Sequence, residues 1–102
     1  MAWFKTVSFA ELQDGCGRRI VVDGLPIALF RVQDQVYATE DTCSHAEASL
    51  AEGRLEGKVV VCPRHGARFD ITSGRALSLP AITGIATFPI KVEDGYVWVD
   101  VG

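Results

Sequence analysis

The feature that most constrains this chain is a pair of short blocks that each carry one cysteine and one histidine. The first block is Cys43-Ser44-His45 and the second is Cys62-Pro63-Arg64-His65-Gly66, with sixteen residues between them. The chain has only two histidines and three cysteines, so both histidines and two of the cysteines lie in these blocks. Because thiolate and imidazole are both good metal donors, we expect the four side chains to bind metal together.

The spacing within each block indicates which metal the four residues bind. Structural zinc sites favour C-x₂₋₄-C paired with H-x₃₋₅-H or with a second C-x₂-C, and the single residue between Cys43 and His45 is tight for chelating one ion. Two ferric ions bridged by two sulfides need four ligand positions, two on each iron. Blocks that alternate cysteine and histidine can each reach both irons. We therefore expect an iron–sulfur cluster, with a zinc-stabilised binding module that does no redox work as the alternative.

Other uses of the cysteines explain less of the sequence. Cys62 and His65 have the types of a nucleophile and its base, but such a pair leaves Cys43-Ser44-His45 unexplained. Three cysteines cannot form a closed disulfide framework. Cys16, in Asp14-Gly15-Cys16-Gly17, has no histidine neighbour, and we interpret it as a turn residue with a free thiol, which a reducing compartment tolerates.

The rest of the sequence predicts antiparallel β-structure. Short runs of β-branched and aromatic residues recur about every eight to twelve residues, separated by turn sequences such as Asp23-Gly24 and Asp94-Gly95. One short helical turn is predicted at the Ser8-x-x-Glu11 capping box. The pattern predicts one all-β domain over residues 1–102, a sandwich or small barrel. The predicted strands are 3–7, 18–22, 25–32, 36–39, 54–55, 59–61, 67–71, 86–92 and 96–101.

Charge and hydropathy argue against several other classes of protein. The formal net charge is −3, and the absence of a basic stripe argues against nucleic-acid binding. No apolar segment approaches the roughly 18 residues of a membrane span. The first residues do not have the pattern of a signal peptide, so we expect a cytoplasmic location and no membrane partner.

The two blocks resemble the motif C-x-H…C-x-x-H-G of the Rieske family. The resemblance extends along the whole chain, through the hairpins before the motif, the Leu79-Pro80 loop and the final strand pair. It implies a fold of antiparallel sheets in which two loops on a hairpin form a cluster-binding part at about residues 40–82. It also implies one [2Fe–2S] cluster, with two cysteines on one iron and two histidines on the other. The implied ligands are Cys43, Cys62, His45 and His65.

Within that family, the chain is most similar to the small ferredoxins of bacterial multicomponent aromatic-ring-hydroxylating dioxygenases. The resemblance implies a monomeric one-electron carrier, not an enzyme. Its expected transient partners are an NAD(P)H-dependent ferredoxin reductase and a terminal Rieske non-haem iron oxygenase of aromatic-compound degradation. The oxygenase needs a further iron held by two histidines and a carboxylate, and both histidines here are already assigned to the cluster. The alternative within redox biology is the small Rieske-like subunit of a nitrite reductase.

Departures from other Rieske proteins predict a low reduction potential. Ala48 and Arg64 stand where respiratory members carry two disulfide-bonded cysteines. Ala67 and Phe69 stand where high-potential members carry a serine and a tyrosine whose hydroxyls donate hydrogen bonds to sulfur. Such bonds stabilise the added electron. We therefore expect a midpoint near the bottom of the Rieske range, about −150 mV.

Overall fold

The computed structural model describes residues 2–43, 48–64, 66–79 and 83–102. Three antiparallel sheets lie in these ranges, with strand orders β1-β10-β9, β2-β3-β4-β8 and β5-β6-β7. The predicted all-β antiparallel fold is confirmed. No helix in the described ranges is long and apolar enough to cross a membrane. The strands are β1 (Trp3–Ser8), β2 (Gly17–Val22), β3 (Leu25–Val32), β4 (Gln35–Glu40), β5 (Arg54–Glu56), β6 (Val59–Val61), β7 (Arg68–Asp70), β8 (Thr87–Phe88), β9 (Ile90–Glu93) and β10 (Tyr96–Asp100).

Strand β3 connects two hydrophobic cores, because its successive side chains point to opposite faces. Ile27 and Leu29 belong to the core between the first two sheets, with Val97 and Val99 of β10. Ala28 and Phe30 belong to a second core, which also contains Cys43, Cys62, Phe69 and neighbouring residues. Both faces of β3 are therefore buried, which explains its nearly continuous apolar sequence.

Two short 3₁₀ helices connect strands in the described part of the chain. The first, Phe9–Glu11, lies where the capping box predicts a helical turn. The Glu11 carboxylate accepts hydrogen bonds from the Ser8 amide and hydroxyl, both at 3.0 Å. The second, Leu50–Glu52, was not predicted, and it leads from the first ligand loop into β5.

The prediction of a single strand over residues 86–92 is wrong. Proline has no N–H to donate to a ladder and usually interrupts a strand, and Pro89 divides this segment. Before it, β8 pairs with β4 in the second sheet, and after it, β9 pairs with β10 in the first. The Pro89 carbonyl accepts a hydrogen bond from the Asp100 amide at 3.1 Å. The chain thus changes sheets at Pro89.

A close backbone crossing anchors the loop between β7 and β8. The Gly74 carbonyl accepts a hydrogen bond from the Ile85 amide at 2.8 Å. A Cβ atom on Gly74 would lie 1.9 Å from the Ile85 carbonyl oxygen, and one on Gly84 would lie 2.5 Å from the Gly74 carbonyl oxygen. Only residues without a Cβ fit here, and the crossing holds the two ends of this loop together.

We expect Gly74→Ala to destabilise the fold much more than Gly15→Ala. Both glycines have φ of +79°, so each substitution costs roughly 1–2 kcal/mol of left-handed strain. A Cβ on Gly15 meets nothing within 4 Å, whereas the clash at Gly74 adds about 1–3 kcal/mol of overpacking. At about 4–8 °C per kcal/mol for a domain of this size, thermal unfolding should separate the variants clearly. Equal decreases in Tm for the two variants would show that the close backbone contact at Gly74 does not limit which residue fits there.

Candidate metal centre

Two loops with the same backbone closure carry the predicted ligands. In the first, the Cys43 amide donates to the Ala48 carbonyl at 3.1 Å, and in the second, the Cys62 amide donates to the Ala67 carbonyl at 2.7 Å. In each loop the cysteine comes first and the acceptor follows five residues later. The two cysteines therefore occupy equivalent positions at the bases of two loops that close with the same hydrogen bond.

Both cysteines are buried in the same core. Cys43 is 4% exposed and Cys62 is 1% exposed, and both belong to the core that contains Phe30 and Phe69. No disulfide joins the chain's cysteines, and Cys16 is exposed, with its Sγ 3.7 Å from Gln13 Oε1. Burying a thiolate is costly unless a positive partner compensates its charge. Thiolates are the protein ligands that iron–sulfur clusters select, so the two buried sulfur donors suit such a cluster.

The two histidines, His45 and His65, lie outside the described residues, as does Pro80. Their assignment as ligands, and with it the complete four-residue site, stays a prediction. Within the described part of the chain, no group of three or more histidine, cysteine, aspartate or glutamate side chains could hold a metal ion. The structure thus describes the sulfur half of the predicted site.

The second ligand loop is a hairpin connection between β6 and β7. Val61 pairs with Arg68, and the bond from Cys62 to Ala67 follows directly on that pair. The Gly66 amide donates to the Cys62 carbonyl at 3.1 Å. Gly66 has φ of +74°, which a residue with a side chain adopts only with strain, so the final glycine of the motif closes this turn.

Asp41 organises the first ligand loop, a role that was not predicted from the sequence. Its side chain is 4% exposed and pairs with Arg19, Oδ2 to Nε, at 3.3 Å. Its Oδ1 accepts hydrogen bonds from the Ser49 hydroxyl at 2.9 Å and the Ala51 amide at 3.0 Å. The only sequence indication was an acidic residue two positions before a predicted ligand, and no spacing rule connects it to Arg19 on β2.

The first part of the loop after β7 is hydrogen-bonded back to that strand. The Leu77 amide donates to the Arg68 carbonyl at 2.8 Å, and the Arg68 amide donates to the Ser78 hydroxyl at 3.1 Å. Leu79 is 76% exposed, although it follows this attached segment directly. Its large apolar side chain is therefore exposed to solvent next to the second ligand loop.

The two positions predicted to lower the potential are fully buried beside the cysteines. Ala67 and Phe69 are both 0% exposed and belong to the same core as Cys43 and Cys62. Neither side chain has a hydroxyl to donate. The structure thus places a methyl group and a phenyl ring in the core that contains both sulfur atoms.

Charges on the β5-β6-β7 sheet are paired with one another. Glu56 of β5 makes ion pairs with Arg68 of β7 and with Arg54, the latter at 2.9 Å. The hydrogen bonds from Arg68 and then Arg54 hold the pKa of Glu56 below its usual range. The three side chains are exposed enough for solvent to screen them, so their contribution to stability is small.

Asp70 fixes the turn after β7. We expect that replacing Asp70 makes the free energy of unfolding fall less as the pH is lowered. The Thr72 hydroxyl and amide donate to Asp70 Oδ1 at 2.6 and 2.8 Å and hold the pKa of Asp70 below its ordinary value. A lowered folded-state pKa stabilises the fold above the unfolded-state value of about 3.9, and that stabilisation disappears as the pH falls through the folded-state pKa.

Urea unfolding between pH 2 and 7 checks this expectation. Asp70→Asn should lower the free energy of unfolding by about 1 kcal/mol or less at pH 7, and the difference from the wild type should shrink toward pH 2. Thr72→Val, which removes one of the two donors, should fall between them. A difference that stays constant from pH 7 to pH 2 would refute the charge-based explanation.

Comparison with known proteins identifies the family of these loops. The sequence profile described as "Rieske [2Fe-2S] domain" matches residues 2–89. The chain is 43% identical over 98 residues to ferredoxin CarAc of Metapseudomonas resinovorans, covering 95% of this chain and 92% of the relative. It is 36% identical over 98 residues to the ferredoxin component of the naphthalene 1,2-dioxygenase system of Pseudomonas putida, covering 96% and 94%.

Solved structures agree with the sequence matches. A chain in the complex of reduced oxygenase and oxidized ferredoxin in carbazole 1,9a-dioxygenase superposes with a TM-score of 0.89 at 43% identity, covering 95% of this chain and 91% of that one. A putative NADH-dependent nitrite reductase small subunit from Mycobacterium tuberculosis has the same TM-score, 0.89, at only 24% identity. That second likeness extends to the fold alone, so the dioxygenase ferredoxins are the nearer group.

Proposed function

The chain belongs to the Rieske [2Fe–2S] domain family, and from this membership we propose that it carries single electrons in a bacterial aromatic-ring-hydroxylating dioxygenase system. The observation that carries the proposal is the pair of loops that close with the same hydrogen bond, each with a buried cysteine at its base. The ferredoxin relatives support it, because they align over nearly their whole length. The chain is thus an electron-transfer component and not itself the enzyme.

We propose that Cys43, His45, Cys62 and His65 hold one Rieske-type cluster. When bound, such a cluster accepts one electron and later returns it. The burial of the two cysteines keeps water away from their sulfur atoms. The hydrogen bonds that close the loops hold the backbone of both cysteines in position. The residues of about 40–82 form the cluster-binding part of a single domain that spans residues 1–102.

The surface around the ligand loops suits brief contacts with other proteins. Pro63 and Gly66 are exposed in the second loop, and Leu79 projects from the neighbouring loop. Redox partners typically bury little surface, so that each complex dissociates between electron transfers. We propose a ferredoxin reductase and a terminal oxygenase as the two partners, with the chain acting as a monomer in the cytoplasm.

Spectroscopy followed by a transfer assay tests this function. The purified protein should be red-brown, bleach with dithionite, and give a rhombic EPR signal after reduction. It should then be reduced by NADH in the presence of a dioxygenase-system reductase and be reoxidised by a matching terminal oxygenase in stopped-flow measurements. A colourless protein that contains one zinc would refute the proposal, and so would a red protein that exchanges electrons with neither partner type.

A further inference from the structure

A buried carboxylate lies at the base of the first ligand loop, and only one of the two neighbouring arginines on β2 neutralises it. Asp41 is 4% exposed at its side chain, whereas its partner Arg19 is 52% exposed. The adjacent Arg18 pairs at 3.9 Å with Glu11, and both of those side chains are about half exposed. The two arginines are adjacent on β2 and so point to opposite faces of the sheet, and only Arg19 pairs with a buried carboxylate.

The Asp41 carboxylate and backbone hold both sides of the loop. Oδ1 accepts from the Ser49 hydroxyl and the Ala51 amide, and the Asp41 carbonyl accepts from the Leu50 amide at 2.7 Å. The next residues continue as a short ladder, with a bridge between Thr42 and Ser49 and then the closing bond at Cys43. The position of Cys43 thus follows directly from the contacts of Asp41.

The strand that carries Arg19 cannot move away from this loop independently. A Cβ on Gly17 would lie 2.7 Å from the Ala51 carbonyl oxygen and 2.9 Å from a ring carbon of Phe30. Since Ala51 also donates to Asp41, β2 and the exit of the ligand loop are packed backbone to backbone. Arg19 is therefore held in range of the carboxylate by the fold and not only by its own ion pair.

We propose that Arg19 and Asp41 are positioning residues that set the reduction potential of the centre. This inference rests on the proposed function, because it assumes that Cys43 is a ligand. Two residues of chain span at most about 7 Å between Cα atoms, so Asp41 is close to that ligand. Reduction adds a negative charge, and a buried carboxylate nearby opposes it more than an exposed carboxylate does. The positive charge of Arg19, 3.3 Å from the Asp41 carboxylate, offsets part of that opposition.

The test compares two single charge removals on the same strand. Arg19→Gln should lower the midpoint potential, because it leaves the Asp41 charge uncompensated. Arg18→Gln removes the same charge one residue away, next to an exposed glutamate, and should shift the midpoint much less. Asp41→Asn keeps an oxygen acceptor for Ser49 and Ala51 but removes the charge, so it should raise the midpoint. The double variant Arg19→Gln/Asp41→Asn should return toward the wild-type value.

Potentiometric titration followed by EPR gives the readout, and unchanged g-values show that the cluster geometry is retained. Equal midpoints for Arg19→Gln and Arg18→Gln would overturn the inference. A midpoint of the double variant that is as low as that of Arg19→Gln would overturn it as well. If Arg19→Gln loses its cluster, two other variants decide the question. A wild-type midpoint for Arg19→Lys together with a raised midpoint for Asp41→Asn supports the inference. A wild-type midpoint for Asp41→Asn refutes it. A wild-type protein without a cluster would instead refute the proposed function.

Discussion

Cys62→Ser is expected to abolish the visible absorption of the purified protein, whereas Cys16→Ser leaves it unchanged. Cys62 is 1% exposed at the base of its loop, and its sulfur is one of the two buried donors of the predicted site. A serine hydroxyl is a harder and far less acidic donor that does not replace a thiolate on an iron–sulfur cluster. Cys16 is exposed and lies outside both loops, so its loss should affect neither iron content nor colour.

Iron and sulfide analysis, absorption spectra and EPR of the dithionite-reduced proteins measure this difference. His45→Ala and His65→Ala, which alter the two proposed histidine ligands, should also lose the native EPR signal. Circular dichroism of each variant shows whether the strands still form without metal. A Cys62→Ser protein with the wild-type iron content and spectrum would contradict the ligand assignment, and a colourless Cys16→Ser protein would show that the cluster also depends on the third cysteine.

Local sequence patterns predicted most of the fold, because hairpins are determined by neighbouring residues. Asp23-Gly24 and Asp94-Gly95 both adopt the left-handed conformations that two-residue hairpins require. Pairing of Val22 with Leu25 and of Glu93 with Tyr96 follows from them. The sheet change at Pro89 was missed, because an apolar run on both sides of a proline does not state which sheet each half joins.

Only those features of the candidate site that depend on residue type and spacing could be predicted from the sequence. The cysteine and histidine blocks predict the four ligands, and the structure adds that the same backbone hydrogen bond closes the chain behind each cysteine. The contact between Arg19 and Asp41 was not predictable, because it joins β2 to a loop beyond two further strands. Pairs that are distant in sequence carry no periodic pattern, so only the folded chain reveals them.

Ala67→Ser is expected to raise the midpoint potential by on the order of 50 mV. Ala67 is 0% exposed and shares a core with Cys43 and Cys62, so an added hydroxyl has little access to water and must seek an acceptor inside the protein. A hydrogen bond to a charged acceptor is worth about 1.5–3 kcal/mol, and a one-electron couple shifts by about 59 mV per tenfold change in equilibrium constant. Because the bond forms in both oxidation states, only the part that strengthens on reduction raises the midpoint.

Ala38→Ser is the matched control for this prediction, because Ala38 is 2% exposed but belongs to the other core. It should cost similar stability and leave the midpoint at the wild-type value. Phe69→Tyr adds the second missing hydroxyl, and combined with Ala67→Ser it should raise the midpoint further. Equal midpoints for Ala67→Ser and Ala38→Ser, with intact clusters in both, would show that the missing hydroxyls do not keep the potential low. The net charge around the site, including that of Asp41, would then have to account for a low potential, since burial and charge are the other means by which a protein tunes such a centre.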